Sequence, residues 1–337
     1  ERSRGLGDVY KRQSMLYNNA DFNCSKFRGV GSWSVQNSGG GTTNPETPLQ
    51  GLVRSHNTTQ ASMAQQIKLC SIADAARILG YHNSPLGQES VYSANSLNPP
   101  MTIGSVQASP LTVANVYATI GADGVACDPI AIKRVVDKNG KRLKVPSAHC
   151  HQAIPKGIAQ TAAYALNQGV VQPGGEASTT QLDGGRKTFA KTGTNEQYYM
   201  TTAGFVPYQV ASFVAVGNAE SQKSFNGMTI NGRTMAAWYG MYIATPAWKQ
   251  FMNDYLKAAN IPVDNDYGKP DPKYTAGGTL PGTPKNTVKT DQQKRDEDAR
   301  KQAAQEQQEE AKTQKNTQDQ YGTARRDDYG DSETDNY

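Results

Sequence analysis

The chain has 337 residues, with 35 Lys and Arg against 30 Asp and Glu, a formal charge of +5 and a mean hydropathy of −0.68. This length allows one large domain or two modest ones. No stretch of the sequence reaches the roughly 20 apolar residues that a membrane span needs, and no cluster of basic residues interleaved with aromatic ones indicates nucleic-acid binding.

The first segment, Glu1 to Gln13, has no periodicity that fits the residues after it and is similar to a translated sequencing-adapter junction. We therefore interpret residues 1–13 as a non-native scar and exclude them from the fold. A genuine polar N-terminal extension is the alternative. Under the scar interpretation the natural gene continues upstream, and the chain is expected to be an N-terminally truncated, C-terminal fragment.

The next part of the chain, residues 14–50, is rich in Asn, Gly, Ser and Thr and is predicted to form loops with short strands. Its Gly39-Gly40-Gly41 run lacks the Gly-Lys-Ser/Thr of a phosphate loop and predicts a turn. The apolar residues 49–53 lead directly into Ser55-His56-Asn57. Apolar spacing then predicts one helix over 58–69 and a second over 72–79.

The middle of the chain is predicted to contain a helix over 111–120, a β-hairpin over 130–145 and another helix over 157–171. The hairpin is indicated by Asn139-Gly140 between two alternating runs. Cys127 and Cys150 lie at matched distances from that turn, so we expect a disulfide between them and hence an oxidising compartment. Two reduced cysteines remain the alternative. No Cys-x-x-Cys occurs, which argues against a zinc or thioredoxin-like site, so we expect no metal. We also expect no cofactor.

The pattern then changes to strands. Segments 188–194, 201–206 and 210–217 predict a three-stranded antiparallel meander with Lys191 on its first strand. A helix over 236–259 follows, in which Pro246 predicts a kink or restart. From Lys289 to Tyr337 there is no Ile, Leu, Val, Met, Phe or Trp, so this segment cannot bury enough apolar surface to offset its chain entropy. We predict a disordered polar and charged tail over residues 267–337, after the closing helix.

Two short motifs carry the chemistry. Lys191-Thr192-Gly193, followed by Thr194, suits an edge strand that holds a carboxylate, because Lys supplies charge, Thr a hydrogen bond and Gly access to the backbone. Ser55-His56-Asn57 stands 136 residues upstream. S-x-N and K-T-G are two of the three signatures of the penicillin-recognising acyl-transferases. Two other strings, at 93–95 and 96–98, also fit S-x-N but open no amphipathic helix.

The body, residues 14–266, resembles the transpeptidase domain of a class A, bifunctional penicillin-binding protein of the actinobacterial type. Four segments carry this resemblance in family order: Gly51–Thr58, Ala108–Ala118, Ala190–Thr194 followed by Ala203–Pro207, and Pro246–Met252. The resemblance implies an α+β fold, shared with serine β-lactamases, in which an antiparallel sheet is backed by helices beside a helical subdomain.

The resemblance also implies roles for individual residues. Ser55 would relay a proton to the leaving group with the help of Lys191, and Asn57 would hydrogen-bond the substrate amide. Lys191 and Thr192 would bind the terminal carboxylate of a stem peptide, and Gly193 would keep the strand surface clear. The main-chain N–H of Thr194 would be one oxyanion donor.

The family's third motif, S-x-x-K with the nucleophile, is missing, since no Ser in the chain has Lys three positions on. We therefore expect the parent to cross-link peptidoglycan stem peptides through a serine acyl-enzyme and this fragment to be inactive alone. A β-lactamase or D,D-carboxypeptidase relative and a non-catalytic wall-binding scaffold of the same fold are the alternatives.

The resemblance further implies a glycosyltransferase domain upstream of this chain. It also implies an extracytoplasmic location, in which the parent protein is anchored to the cell membrane through an N-terminal segment missing from this chain. The implied partners are stem peptides, their lipid-linked precursor, β-lactams as covalent inhibitors, and cell-wall synthesis proteins that contact the tail.

Overall fold

The computed structural model describes residues 14–18, 32–38, 46–65, 67–82, 97–218 and 221–275, with backbone only for 14–18. The predicted scar at 1–13, the Gly39–Gly41 turn and most of the predicted tail lie outside these residues. No helix within the described ranges is long and apolar enough to cross a membrane.

The described elements follow one another in mixed order. The helices are α1 (Pro48–Val53), α2 (Asn57–Gln65), α3 (Leu69–Ile78), α4 (Pro110–Gly121), α5 (Lys156–Val171), α6 (Gly240–Ala258) and α7 (Pro272–Thr275), with 3-10 turns at Pro99–Ile103 and Ser178–Thr180. The strands are β1 (Ser14–Asn18), β2 (Ser32–Gln36), β3 (Val125–Ala126), β4 (Val135–Val136), β5 (Arg142–Leu143), β6 (His151–Gln152), β7 (Phe189–Asn195), β8 (Tyr199–Val206), β9 (Val210–Gly217), β10 (Thr229–Ile230) and β11 (Arg233–Thr234).

The centre of the fold is the antiparallel sheet β7-β8-β9, in which the predicted meander is confirmed. Because side chains alternate along a strand, the sheet has two apolar faces. On one face Phe189 and Phe205 stack at 5.0 Å and pack with α4 and α5. On the other face Trp248, fully buried on α6, packs against Ala190 and Val206. The sheet is therefore covered by helices on both faces, which fixes the position of β7.

A second, smaller core lies in the helical part of the molecule. It joins α2 and α3 to strand β2 through Val35, Ala61, Ala64 and Leu69, all of which are buried. The first predicted helix ends at Gln65, and Leu69 opens α3 instead. The prediction that one helix runs from 58 to 69 is therefore wrong at its end. The segment that carries Ser55 joins α1 to α2 at the edge of this core.

The predicted hairpin and disulfide are both confirmed. Strands β4 and β5 pair antiparallel around Asn139-Gly140, and Cys127 and Cys150 form a disulfide. Asp137 stabilises the turn, because its Oδ1 accepts hydrogen bonds from the main-chain N–H of Asn139 and of Lys141 at 2.8 and 2.9 Å. The strands of the hairpin are shorter than the predicted 130–145 span.

The closing helix differs from its prediction in two ways. It begins at Gly240 rather than at residue 236, because Tyr239, the residue before it, has an extended backbone with φ of −126° and ψ of 158°. It also passes through Pro246 without ending. Proline removes one helical hydrogen bond. Burial of Trp248, Met252 and Leu256 on one face of α6 offsets that loss, so the helix continues through Pro246.

The packed body continues past the predicted boundary at Asp266. Tyr267 is buried and contacts Phe189 edge-on at 5.6 Å. The buried guanidinium of Arg186 donates to the main-chain oxygens of Ile261 and Pro262 at 2.8 and 2.7 Å. The residues after α6, 259–267, thus pack against the sheet, and we call them the strap. Phe189 and Arg186, which hold the strap in place, are distant from it in sequence.

A polar cluster around Asp123 fastens this strap to α4 and α5. Its carboxylate accepts hydrogen bonds from Tyr208 and Gln160, both at 2.6 Å, and pairs with Lys156 at 2.9 Å. The hydroxyl of Tyr267 accepts the main-chain N–H of Asp123. Desolvation by burial acts to raise the pKa of Asp123, but these hydrogen bonds outweigh it and the pKa lies below its usual value.

Candidate active site

Ser55 lies in the turn that ends α1. The main-chain N–H of Ser55 donates to Leu52 O at 3.1 Å, and that of His56 donates to Gly51 O at 2.7 Å. This pair of bonds is the Schellman motif, in which the residue after the helix cap adopts a left-handed conformation and is usually Gly. Ser55 occupies that position with φ of 55°. The turn therefore holds a serine in a conformation that costs a side-chain-bearing residue about 1–2 kcal/mol.

This geometry predicts that Ser55→Gly is more stable than Ser55→Ala. Both variants remove the hydroxyl, but only Gly relieves the left-handed strain, so we expect the Gly variant to exceed the Ala variant by about 1 kcal/mol in free energy of unfolding. Urea unfolding followed by circular dichroism measures the difference. Equal stability of the two variants would show that the turn is not strained.

Gly51 allows the chain to return on itself at this turn. A Cβ at Gly51 would lie 2.4 Å from the side chain of Thr59 on α2. Helices α1 and α2 therefore meet at a point where only glycine fits.

Lys191 lies on the edge strand β7 and reaches this serine. Its Nζ donates to Ser55 Oγ at 2.6 Å and to the main-chain oxygen of Thr192 at 2.6 Å. The structure thus brings together two residues separated by 136 positions in the sequence. Desolvation lowers the pKa of Lys191 to about 8, and the nearby negative charge of Glu176 partly opposes that shift. The ammonium group is therefore partly desolvated and close to its titration range at neutral pH.

The approach of α1 to β7 is held by a main-chain contact. The N–H of Glu176 donates to Val53 O at 3.0 Å, which ties the loop after α5 to the last turn of α1. Leu52, Val53, Ala190 and Lys191 line a narrow crevice beside this contact, and it does not admit a water molecule. The apolar lining explains why the lysine is desolvated.

The other predicted site residues lie nearby but point in different directions. Asn57 opens α2, and its side-chain amide donates to Gln36 O at 2.9 Å. Thr192 is buried, and its hydroxyl donates to Glu176 O at 3.2 Å. Thr194 is exposed, and its hydroxyl accepts the main-chain N–H of Gly240 at 3.0 Å. Alternation along β7 places Lys191 and Thr192 on opposite faces, so their side chains do not converge in this structure.

Gly193 faces its neighbouring strand closely. A Cβ at this position would lie 2.4 Å from Thr201 Oγ1. The prediction that this residue keeps the strand surface clear stays a prediction for the ligand side of the strand. The close approach to Thr201 is a second reason for glycine at this position, because a larger residue would collide with the threonine side chain.

Glu46 is a residue of the site that the sequence did not reveal. It is buried, and its Oε1 accepts the hydroxyl of Thr59 and lies 2.8 Å from His56 Nδ1. Its Oε2 lies 3.7 Å from the guanidinium of Arg54. The residues on both sides of Ser55 therefore contact one buried carboxylate. A single Glu before a helix start gives no sequence pattern that distinguishes it from an exposed one.

The two competing S-x-N strings, at 93–95 and 96–98, make no contact with Lys191 through the residues that the structure describes. The string at 93–95 and Ser96 lie outside them. Asn98 caps the 3-10 turn, since its side-chain oxygen accepts the main-chain N–H of Met101 at 3.2 Å. Among the described S-x-N residues, Ser55 is the one in contact with Lys191.

The fold and the paired motifs define a domain of the penicillin-recognising type. The chain belongs to the penicillin-binding protein transpeptidase family, since residues 12–253 match the model of the penicillin binding protein transpeptidase domain. It is similar to penicillin-binding protein 1A of Mycobacterium tuberculosis, with 29% identity over 229 residues that make up 64% of this chain and 26% of that protein. The chain thus spans about a quarter of this curated relative. The predicted resemblance to class A proteins is confirmed.

Solved structures show the same fold. The structure of PonA1 from Mycobacterium tuberculosis in complex with penicillin V superposes with a TM-score of 0.67 at 22% identity, covering 84% of this chain and 71% of that chain. Penicillin-binding protein 1A from Haemophilus influenzae superposes with a TM-score of 0.60 at 17% identity, covering 78% of this chain and 41% of that one. The predicted α+β transpeptidase fold is confirmed.

Proposed function

We propose that this chain is the C-terminal part of a peptidoglycan D,D-transpeptidase that cross-links stem peptides through a serine acyl-enzyme. The observation that carries the proposal is the 2.6 Å contact between Lys191 Nζ and Ser55 Oγ. A hydroxyl in contact with an ammonium of lowered pKa is suited to pass a proton to a leaving amine. The penicillin-binding family and the penicillin V complex of the similar PonA1 support a β-lactam-sensitive site.

In this proposal the stem-peptide carboxylate binds at β7. Lys191 supplies the charge, and the Thr192 hydroxyl turns from Glu176 O to donate to the carboxylate. Asn57 turns from Gln36 O to hold the substrate amide. The main-chain N–H of Thr194, on the edge strand, stabilises the oxyanion that develops when the penultimate D-Ala carbonyl is attacked.

The nucleophile in this proposal is a Ser of an S-x-x-K motif encoded upstream. That serine attacks the carbonyl carbon, D-Ala leaves with a proton relayed through Ser55, and an amine of a neighbouring stem peptide then takes the acyl group. The chain as given has no Ser with Lys three positions on, so it forms no covalent penicillin adduct. A glycosyltransferase domain, a membrane anchor and use of a lipid-linked precursor belong to the same proposal for the parent.

The disulfide supports an extracytoplasmic location. Disulfides persist in oxidising compartments, and Cys70 is disulfide-bonded as well as Cys127 and Cys150. Stem peptides and β-lactams are encountered in that compartment. The proposal also includes cell-wall synthesis proteins that bind the C-terminal tail.

The test compares two proteins: this chain and a chain extended upstream to include the natural coding sequence. Both are incubated with a fluorescent penicillin and run on a denaturing gel. We expect the extended chain to be labelled through the Ser of its S-x-x-K, the Ser→Ala variant of that residue to be unlabelled, and the present chain to be unlabelled. Labelling of the present chain would contradict the missing-nucleophile proposal. A natural start codon near Met15, with no upstream S-x-x-K, would favour the scaffold alternative instead.

A further inference from the structure

A short exposed segment carries as much formal charge as the entire chain. We call residues 130–145 the basic hairpin. It holds six cationic side chains against one carboxylate, a formal charge of +5, and the whole chain also has +5. The six are Lys133, Arg134, Lys138, Lys141, Arg142 and Lys144. All six are exposed.

Within the part of the chain that the structure describes, these cations have no ion-pair partner. Among the described residues, none of the six makes an ion pair within 4.0 Å. The one carboxylate of the hairpin, that of Asp137, accepts two main-chain hydrogen bonds of the turn. Like charges held this close repel one another. The Cys127–Cys150 disulfide closes the base of the hairpin and holds the segment together against that repulsion.

Four exposed aliphatic side chains lie among the cations of the basic hairpin. The exposed fractions are 41% for Ile130, 53% for Ile132, 43% for Val136 and 48% for Leu143. Single exposed aliphatic residues are ordinary, but four of them within one short hairpin indicate an interaction surface. The hairpin therefore offers positive charge and apolar surface together.

We propose that the basic hairpin docks on an anionic lipid surface. Its Lys and Arg side chains bind headgroup phosphates, and its aliphatic side chains enter the boundary between headgroups and acyl chains. A soluble polyanion would satisfy the cations but would leave the aliphatic side chains in water. The combination of both chemistries on one stapled hairpin therefore favours a lipid surface. This inference is independent of the proposed transpeptidase reaction.

The test measures co-sedimentation of the full chain with vesicles of phosphatidylcholine alone and with vesicles containing 30% phosphatidylglycerol. Three chains are compared: wild type, the hairpin variant K133E/K141E/K144E, and the matched control K68E/K223E/K257E. The control changes three exposed lysines outside the hairpin and alters the net charge equally. We expect wild type and control to bind the anionic vesicles, and the hairpin variant to bind about 100-fold more weakly, because each of the three lysines near such a surface contributes roughly fivefold.

A second variant, Ile132→Ser with Leu143→Ser, tests the apolar part. We expect it to weaken vesicle binding by about 10-fold while its thermal unfolding stays that of wild type. Failure of wild type to bind anionic vesicles, or equal losses in hairpin and control variants, would overturn the proposal. Unchanged vesicle binding of the serine variant, together with full competition by inorganic polyphosphate at equal phosphate concentration, would assign the hairpin to a soluble polyanion.

Discussion

Replacing Lys191 by Met should lower the rate of acylation by penicillin about 100-fold in a chain extended to include the S-x-x-K motif. The lysine supplies the charge that meets the substrate carboxylate and contacts Ser55 Oγ at 2.6 Å. Losing one partner of a desolvated charge pair costs on the order of 2–5 kcal/mol, which corresponds to a factor of about 30 or more. Stopped-flow or gel-based labelling with a fluorescent penicillin measures the second-order rate constant.

The pH dependence gives this prediction a second, independent readout. The pKa of Lys191 is lowered to about 8 by desolvation. Since the charged form binds the carboxylate, acylation should fall as the pH rises through about 8. The same lowered pKa means that the folded chain binds fewer protons than the unfolded chain between about pH 8 and the usual lysine value of about 10.4, so stability should rise across that window.

The matched control is Lys223→Met, which changes an exposed lysine remote in sequence from both motifs. We expect its acylation rate and pH profile to equal those of the unchanged protein. Lys191→Met should fold at least as stably as the unchanged protein, because a desolvated charge is removed. A full acylation rate in Lys191→Met would exclude the proposed role of this lysine.

Gly240→Ala should lower the free energy of unfolding by about 2–3 kcal/mol. A Cβ at Gly240 would lie 2.4 Å from Gly193 O and 2.7 Å from Thr201 O. Both are main-chain atoms of paired strands and cannot move without displacing β7 or β8. Overpacking of this kind typically costs about 1–3 kcal/mol. Urea unfolding monitored by tryptophan fluorescence measures the change.

Gly169→Ala is the control for this variant. Gly169 lies inside α5, and the nearest atom to an added Cβ is that of Ala177 at 3.9 Å, an ordinary contact. We expect its stability to be unchanged or up to about 1 kcal/mol higher, because Ala favours a helix more than Gly does. Equal unfolding midpoints for the two alanine variants would show that the start of α6 is not tightly packed on β7.

The Gly240 variant also reports on the site. Displacing Gly193 moves the residue next to Thr192 on the strand that carries Lys191. We therefore expect the extended chain with Gly240→Ala to lose acylation rate even at temperatures where it remains folded. This links the packing of α6 to the position of the Lys191 ammonium.

Local sequence patterns predicted local structure well. Asn139-Gly140 between alternating runs predicted a hairpin because that turn needs residues that tolerate positive φ. Three short strand-like segments separated by turns predicted the meander, because strand length and turn composition depend on residues that are near in sequence. Pairing of Cys127 with Cys150 followed from the hairpin geometry. Helix ends were less accurate, since Leu69 and Gly240 owe their places to contacts with distant residues.

By itself, the sequence determined the family motifs, the three strands of the meander and the disulfide-closed hairpin, because each depends on residues within a short stretch of chain. Only the tertiary structure decided that Ser55 occupies a strained helix end, that buried Glu46 contacts the residues on both sides of it, and that the Thr192 hydroxyl donates to Glu176 O. The contact between Ser55 and Lys191 itself joins residues 136 positions apart. Contacts between residues so far apart in the sequence depend on how the whole chain packs, and short sequence patterns do not contain that information.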